Sequence, residues 1–136
     1  MTELIEVKTA DLAGEALGWA VATTEGLNPR LEPPQYGNPW RVFCDTTFGN
    51  SKRYKPWEDW AVGGPLIVRY QVSIIPVPHR GAEGEEISDL WYADVYYKGG
   101  NQYTTEDCST ALVAACQAVV ATKFGDTFQV PKELLP

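Results

Sequence analysis

The chain has 136 residues, 44% hydrophobic and 21% charged, with five Trp, seven Tyr and four Phe and a net charge of -7. That length suits one core rather than two ordinary domains, so a single domain over residues 1–136 is expected, and the aromatic content argues against disorder. The acidic balance argues against a general affinity for duplex nucleic acid or an anionic membrane, because the field of the whole molecule repels polyanions.

In chain order, Met1-Thr2-Glu3-Leu4-Ile5-Glu6 lacks a basic stretch and a long apolar run, so neither a signal peptide nor a transmembrane segment is expected. Leu4-Ile5-Glu6-Val7 suits a first strand. Thr9 is placed as the N-cap of a helix, with Asp11 in its positive first turn. Leu12, Ala16, Leu17, Ala20 and Val21 then recur at helical spacing, and Gly26 ends the helix. Gly14 and Gly18 each cost that helix about 1 kcal/mol in propensity, which implies a face pressed close against another element. From Leu27 to Pro56, prolines and glycines break every candidate helix. A long loop is expected there, kept ordered by Tyr36, Trp40, Phe43, Phe48, Tyr54 and Trp57, with a short strand at residues 41–44.

Pro65 suits a first helical position, giving one or two turns to Tyr70, although Leu66-Ile67-Val68 also fits a strand. Residues 72–77 are β-branched and confined to an edge by Pro76 and Pro78; they pair antiparallel with residues 90–97, the clearest strand of the chain. An acidic turn at residues 81–86 lies between them. A second long helix runs from Thr105 or Ser109 to Phe124, with Leu112, Ala115, Cys116, Val119, Val120 and Phe124 as its apolar stripe and Gly125 at C′. Residues 128–130 form a last strand, stopped by Pro131. The expected fold is α+β: two long helices packed on one face of a small antiparallel β-sheet, with the long aromatic-rich loop folded across an edge.

Three cysteines without a CxxC spacing fit a reducing cytosol. Cys108 and Cys116, placed on one helix, are separated by a rise of about 12 Å that forbids a mutual disulfide. Nucleophilic catalysis needs a base beside Ser or Cys, and the single histidine, His79, stands between Pro78 and Arg80 without a visible partner. No metal and no cofactor are expected, because the Cys and His count is too low for zinc and the acidic pairs Glu58/Asp59 and Glu85/Glu86 fit solvated turns. Gly63-Gly64-Pro65 lacks the GK[ST] ending of a phosphate-cradling loop.

The charge is uneven: residues 30–69 hold six basic and four acidic side chains, which leaves the rest of the chain at -9. Within this segment lies Trp57-Glu58-Asp59-Trp60-Ala61-Val62-Gly63-Gly64-Pro65, two tryptophans ahead of paired glycines that admit close backbone approach. A helix starting at Pro65 offers N–H groups to an anion, Arg53 and Lys55 supply cations, and Trp40, Trp57 or Trp60 supply a stacking face. Asp59 stands where it accepts from a ligand amine or caps the following turn. The candidate site is therefore Trp40, Arg53, Lys55, Trp57, Asp59, Trp60, Gly63 and Gly64, with no catalytic residue; the competing explanation is that the tryptophans are core plugs anchoring the loop.

Four blocks carry a resemblance: residues 8–22 (KTADLAGEALGWAVA), 59–67 (DWAVGGPLI), 110–116 (TALVAAC) and 121–126 (ATKFGD) with Val130-Pro131. Together they resemble the NinX-like proteins of tailed phages and prophages. Ala111 departs from the proline expected after the Thr cap, and residues 31–55 and 76–86 carry no resemblance. What the resemblance implies is a phage accessory protein in the bacterial host cytoplasm, and no catalytic residue is carried over. The expected function is non-enzymatic binding of a small anionic nucleotide-like ligand, sequestering a host anti-phage defence signal. The alternatives are a protein-protein inhibitor or acidic decoy of a host factor, and a nucleotide-signal hydrolase using His79 or Asp59. An exposed sheet edge and the aromatic surplus favour a homodimer.

Overall fold

The computed structural model describes residues 3–45, 49–81 and 84–136. Its elements follow in the order β1 (Leu4–Lys8), α1 (Gly14–Thr24), β2 (Arg30–Glu32), β3 (Arg41–Asp45), β4 (Ser51–Arg53), α2 (Trp60–Tyr70), β5 (Ser73–Gly81), β6 (Gly84–Tyr97), β7 (Asn101–Thr104), α3 (Ala111–Phe124) and β8 (Thr127–Pro131), with short 3-10 turns at Thr9–Asp11, Lys98–Gly100 and Lys132–Leu134. The fold is α+β, with three helices and three small antiparallel sheets among the described residues, ordered β1-β8, β2-β3-β4 and β5-β6-β7.

Helix α3 runs through the core. Every residue from Ala114 to Ala121 is buried, so it has no polar face, as befits a helix enclosed on all sides. It packs against α1, α2, β5 and β6. Thr110 Oγ1 accepts from Val113 N at 3.1 Å and Gly125 follows the last turn with φ 76°, so the chain starts and stops this helix with its own cap residues. Ala111 takes the first helical position. The expected single-sided stripe is corrected by this environment: Phe124, assigned to the core, is 37% exposed.

The single expected sheet is also corrected. β1 pairs with β8, Leu4 opposite Pro131 and Lys8 opposite Thr127, and the segment expected to be a loop forms its own sheet around β3. The strand at residues 41–44 is present as β3, with Val42 and Cys44 buried on alternate positions. Its partners Arg-Leu-Glu and Ser-Lys-Arg are too short and too charged to show an apolar alternation, and they are held by the ladder to β3. The hairpin expected from residues 72–77 and 90–97 is present as β5 and β6, with β5 at the sheet edge. β7 adds a third strand after Gly99 and Gly100, both at positive φ.

Thr9 is not an N-cap. It is fully buried, its hydroxyl donates to the Gly125 carbonyl at 2.7 Å and its N–H to Asp126 O at 2.8 Å. α1 begins at Gly14, whose φ of 54° explains that glycine as a left-handed lead into the helix rather than a packing contact. Gly18 is the packing contact, since a Cβ there would lie 2.6 Å from the Trp57 ring.

α2 corrects the expected helix start. It begins five residues before Pro65, capped by Asp59, whose Oδ1 accepts from Ala61 N at 3.0 Å. Pro65 lies within the helix and withholds the N–H that Ala61 O would have accepted. Gly64 eases this, because the clashes by which a proline keeps the preceding residue out of the helical region involve that residue's Cβ as well as its N–H, and glycine lacks the first. Gly63 serves packing instead, since a Cβ there would sit 2.3 Å from the Pro56 carbonyl oxygen and 2.8 Å from Leu112 Cδ2. Its bare backbone lets α2 close onto α3.

Cys108 precedes α3, bridging Trp91 through its backbone, so the two cysteines do not share a helix. Cys44, Cys108 and Cys116 are buried free thiols. Burial pushes Cys44 up to about 11 and Cys116 to about 12, which makes them small hydrophobes rather than nucleophiles.

Two outcomes follow from these contacts. Gly63→Ala is expected to lower the unfolding free energy by about 1–3 kcal/mol through overpacking. Gly18→Ala costs less, because its contacts, 2.6 Å to the Trp57 ring and 3.1 Å to the Tyr54 carbonyl oxygen, are longer than the 2.3 Å to backbone at Gly63. Urea denaturation of both variants checks the order, and a neutral Gly63→Ala contradicts it. The second outcome concerns Tyr70, whose hydroxyl donates to Glu25 Oε2 at 2.6 Å, tying the end of α2 to the end of α1. Burial, then this hydrogen bond and the Glu25 charge, push the phenol from 10.0 up to about 12. The fold holds the neutral form, so this contribution is complete below pH 10.0 and is lost as pH rises through about 12. Urea midpoints across that window should fall more steeply for the native chain than for Tyr70→Phe.

Candidate ligand-binding site

The eight residues singled out in the sequence separate into two places. Trp57 and Trp60 line one shallow cavity of about 190 Å³ together with Glu58, Thr110 and Leu112. Trp57 is half-buried against α1 and the core, whereas Trp60, the first residue of α2, is 59% exposed. Asp59 beside them is occupied as the helix cap, and Lys55 Nζ lies 3.3 Å from Glu58. An anion approaching the start of α2 thus meets two carboxylates. The anion-receiving helix start expected at Pro65 does not exist, and Gly63 and Gly64 are accounted for by packing and by the proline.

Trp40 lines a second cavity of about 380 Å³ with Pro34, Pro39, Leu134 and Leu135, and the charged residues of its lining are Glu15 and Glu133. Arg53 reaches this place through Glu15, its Nη2 donating to Glu15 Oε1. Strand alternation gathers further cations. Val42 and Cys44 face inward, so Arg41 and Phe43 project from the opposite face of β3, and the register sets Arg30 and Arg53 on either side of Phe43. The Arg41 guanidinium stands 5.4 Å from the Phe43 ring centroid. Arg30 lies 3.8 Å from Glu32 and 3.7 Å from Asp45 and donates to Ser51 Oγ. Three buried polar atoms lack a hydrogen-bond partner among the described residues, and all belong to this neighbourhood: Arg41 Nε, Arg53 Nε and Glu15 Oε2. Buried polar groups are ordinarily satisfied, so these three atoms are exceptions in the fold.

Trp40 offers this cavity a stacking face and Glu15 an acceptor for an amine, while the cations Arg41 and Arg53 stand outside its walls, Arg53 joined to it through Glu15. Arg41, Phe43 and Glu15 were not among the expected site residues. The first two were accessible in principle, since the strand at residues 41–44 places them on one face. Glu15 was not, because nothing local links α1 to β4.

A third cavity, of about 610 Å³, has Leu4, Trp19, Leu27, Phe124 and Phe128 among its walls, and Glu6 is its single charged lining residue. Phe124 and Phe128 meet edge to face at 4.9 Å. Helical spacing assigned Phe124 to the core and did not single out Trp19, because this cavity exists only once β1 and β8 pair across the whole chain length. Like the Trp40 cavity, it has no cation among its lining residues.

The side chains of His79, Glu85 and Glu86, weighed above for acid-base chemistry or cation binding, lie outside the described residues. Among the described residues no His, Cys, Asp and Glu cluster could hold a metal ion. No helix among them is long and apolar enough to cross a membrane. No curated protein matches the chain. The family described as bacteriophage P22, NinX matches residues 8–123, a span from the end of β1 to the last turn of α3. By this match across all three helices and the arginine-bearing sheet, the chain belongs to the phage NinX family.

Proposed function

We propose that this NinX family member is a non-enzymatic phage accessory protein that captures a small nucleotide-derived anion in the bacterial host cytoplasm and so withholds a defence signal from its receptor. The observation that supports the proposal is the Trp40 cavity, whose Glu15 wall is joined to Arg53 on the arginine-bearing face of β3 and β4. A base stacks on Trp40, its amine donates to Glu15, and its phosphate is held by Arg41 and Arg53. The cavity of about 380 Å³ lies within the range of small-molecule sites, whereas that at Trp57 and Trp60, about 190 Å³, lies below it. Placement of the cations on strands rather than in a mobile loop lowers the ordering cost of binding.

Isothermal titration calorimetry with a panel of nucleotides and cyclic nucleotide signals tests this reading. A member of the panel should bind, with recovery of unchanged ligand after incubation. Trp40→Ala should weaken binding by about 1–3 kcal/mol, the usual worth of a base-aromatic stack, with an unaltered circular dichroism spectrum. Trp57→Ala should leave affinity unchanged in whatever fraction remains folded. Absence of binding across the panel, or full affinity in Trp40→Ala, refutes the proposal.

A further inference from the structure

Helix α2 buries Gly63 and Leu66 and turns a different set of residues outward. Trp60 is 59% and Val68 78% exposed, and Ala61 and Pro65 are exposed between them. Trp60, Gly64 and Val68 follow at four-residue intervals and form one line along the helix. Gly64 is open above its backbone: a Cβ there would meet only Trp60 of its own helix, at 3.9 Å. The surface is thus apolar along its length and shallow at its centre. Charge occurs only at its ends, with Glu58 and Asp59 before the first turn and Arg69 in the last.

We infer that this face is the contact between two copies of the chain, which pack through their α2 helices in antiparallel orientation. The charge pattern selects a second copy as occupant. Antiparallel packing about a twofold axis brings the acidic start of each helix beside Arg69 of the other and sets opposed helix dipoles together, while parallel packing stacks like charges. Arg69 already pairs with Glu25 and Glu58 with Lys55, yet 60% of the Arg69 side chain and 55% of the Glu58 side chain stay exposed and able to serve both contacts. Elsewhere a net charge of -7 opposes association of like chains, so an uncharged stripe closed by opposite charges is where two copies can meet. Gly64 at the crossing lets the two helix axes approach, and each Trp60 lies over the Val68 of the other copy. This departs from the homodimer expected through a sheet edge. A helix of eleven residues is about 16 Å long, so the pair alone buries less than a standard interface and the dimer is concentration-dependent.

Sedimentation velocity of the full chain across a concentration series tests the inference. The native chain should pass from monomer to dimer. Val68→Glu places a charge on an exposed position, leaves the thermal melt unchanged, and raises the dimer Kd by about tenfold or more. Glu58→Arg and Arg69→Glu should each weaken the dimer, and the two combined should restore it, which a generic surface effect does not reproduce. A native chain that stays monomeric at the highest concentration overturns the inference, and so does a Val68→Glu variant that dimerises as tightly as the native chain. Val68-dependent capture of a host protein by a chain that remains monomeric assigns the face to a different partner and overturns it equally. Nucleotide binding is read separately, so failure here leaves the Trp40 site untouched and the converse holds.

Discussion

The rest of the structure depends on Gln117, a polar side chain in the middle of a helix that has no solvent face. Its Nε2 donates to Leu12 O at 2.9 Å and Ala10 O at 3.3 Å, and Cys108 Sγ lies 3.4 Å from its Oε1. A buried carboxamide without partners is costly, and so are the carbonyls of a connector that is neither strand nor α-helix. Each resolves the other. The connector between β1 and α1 is thereby stitched along α3, at Gln117 in the middle and, through Thr9, at Gly125 and Asp126 where the helix ends. β1 is left beside the point where the chain leaves α3, so β8 pairs with it at once. At its other end the same connector sets the start of α1, and with it Glu15, which receives Arg53. Glu15, the wall of the Trp40 cavity that receives Arg53, thus takes its place beside a connector tied to the core.

What was legible in the sequence divides along the range of the interactions. Local signals fared well. Thr110 and Gly125 bracket α3, Val42 and Cys44 mark β3, and Gly18 marks a helix pressed close to its neighbour. Long-range signals did not. Thr9 has the composition of an N-cap, and its hydroxyl donates instead to a carbonyl 116 residues away. Pro65 has the composition of a helix start, and the true start, Asp59, was legible only as one of two roles for that carboxylate. Strands β2, β4 and β7 are short and polar, formed because a partner strand offers a ladder rather than because their side chains demand one.

The candidate site shows the same division. The aromatic and basic character of residues 30–69 was visible, and Trp40 and Arg53 belong to one neighbourhood. Trp57 drew attention through its spacing from Trp60, yet its ring fills the space above Gly18, so its size serves the α1 contact. The blocks that carry the family resemblance coincide with α1, α2, α3 and the exit into β8, which form the packed framework. The arginine face lies in the segment between those blocks. A framework signature can therefore identify the family while saying little about the arginine face, because that face lies on β2, β3 and β4 and is reached from the framework through Glu15 of α1.

That separation has an energetic side. Arg41 and Arg53 each keep a buried Nε without a partner, and Glu15 a buried oxygen, in a chain that otherwise satisfies a polar group as deep as Gln117. Each orphan costs the fold about 1–3 kcal/mol relative to a satisfied group. Selection for stability alone would replace such groups by apolar ones or supply a partner, as Glu15 does for one nitrogen of Arg53. The sheet β2-β3-β4 can carry this cost because α1 packs on β3 and Val42 is fully buried beneath it. Instability on the outer face is thus confined to side chains, leaving the strands that aim them in place.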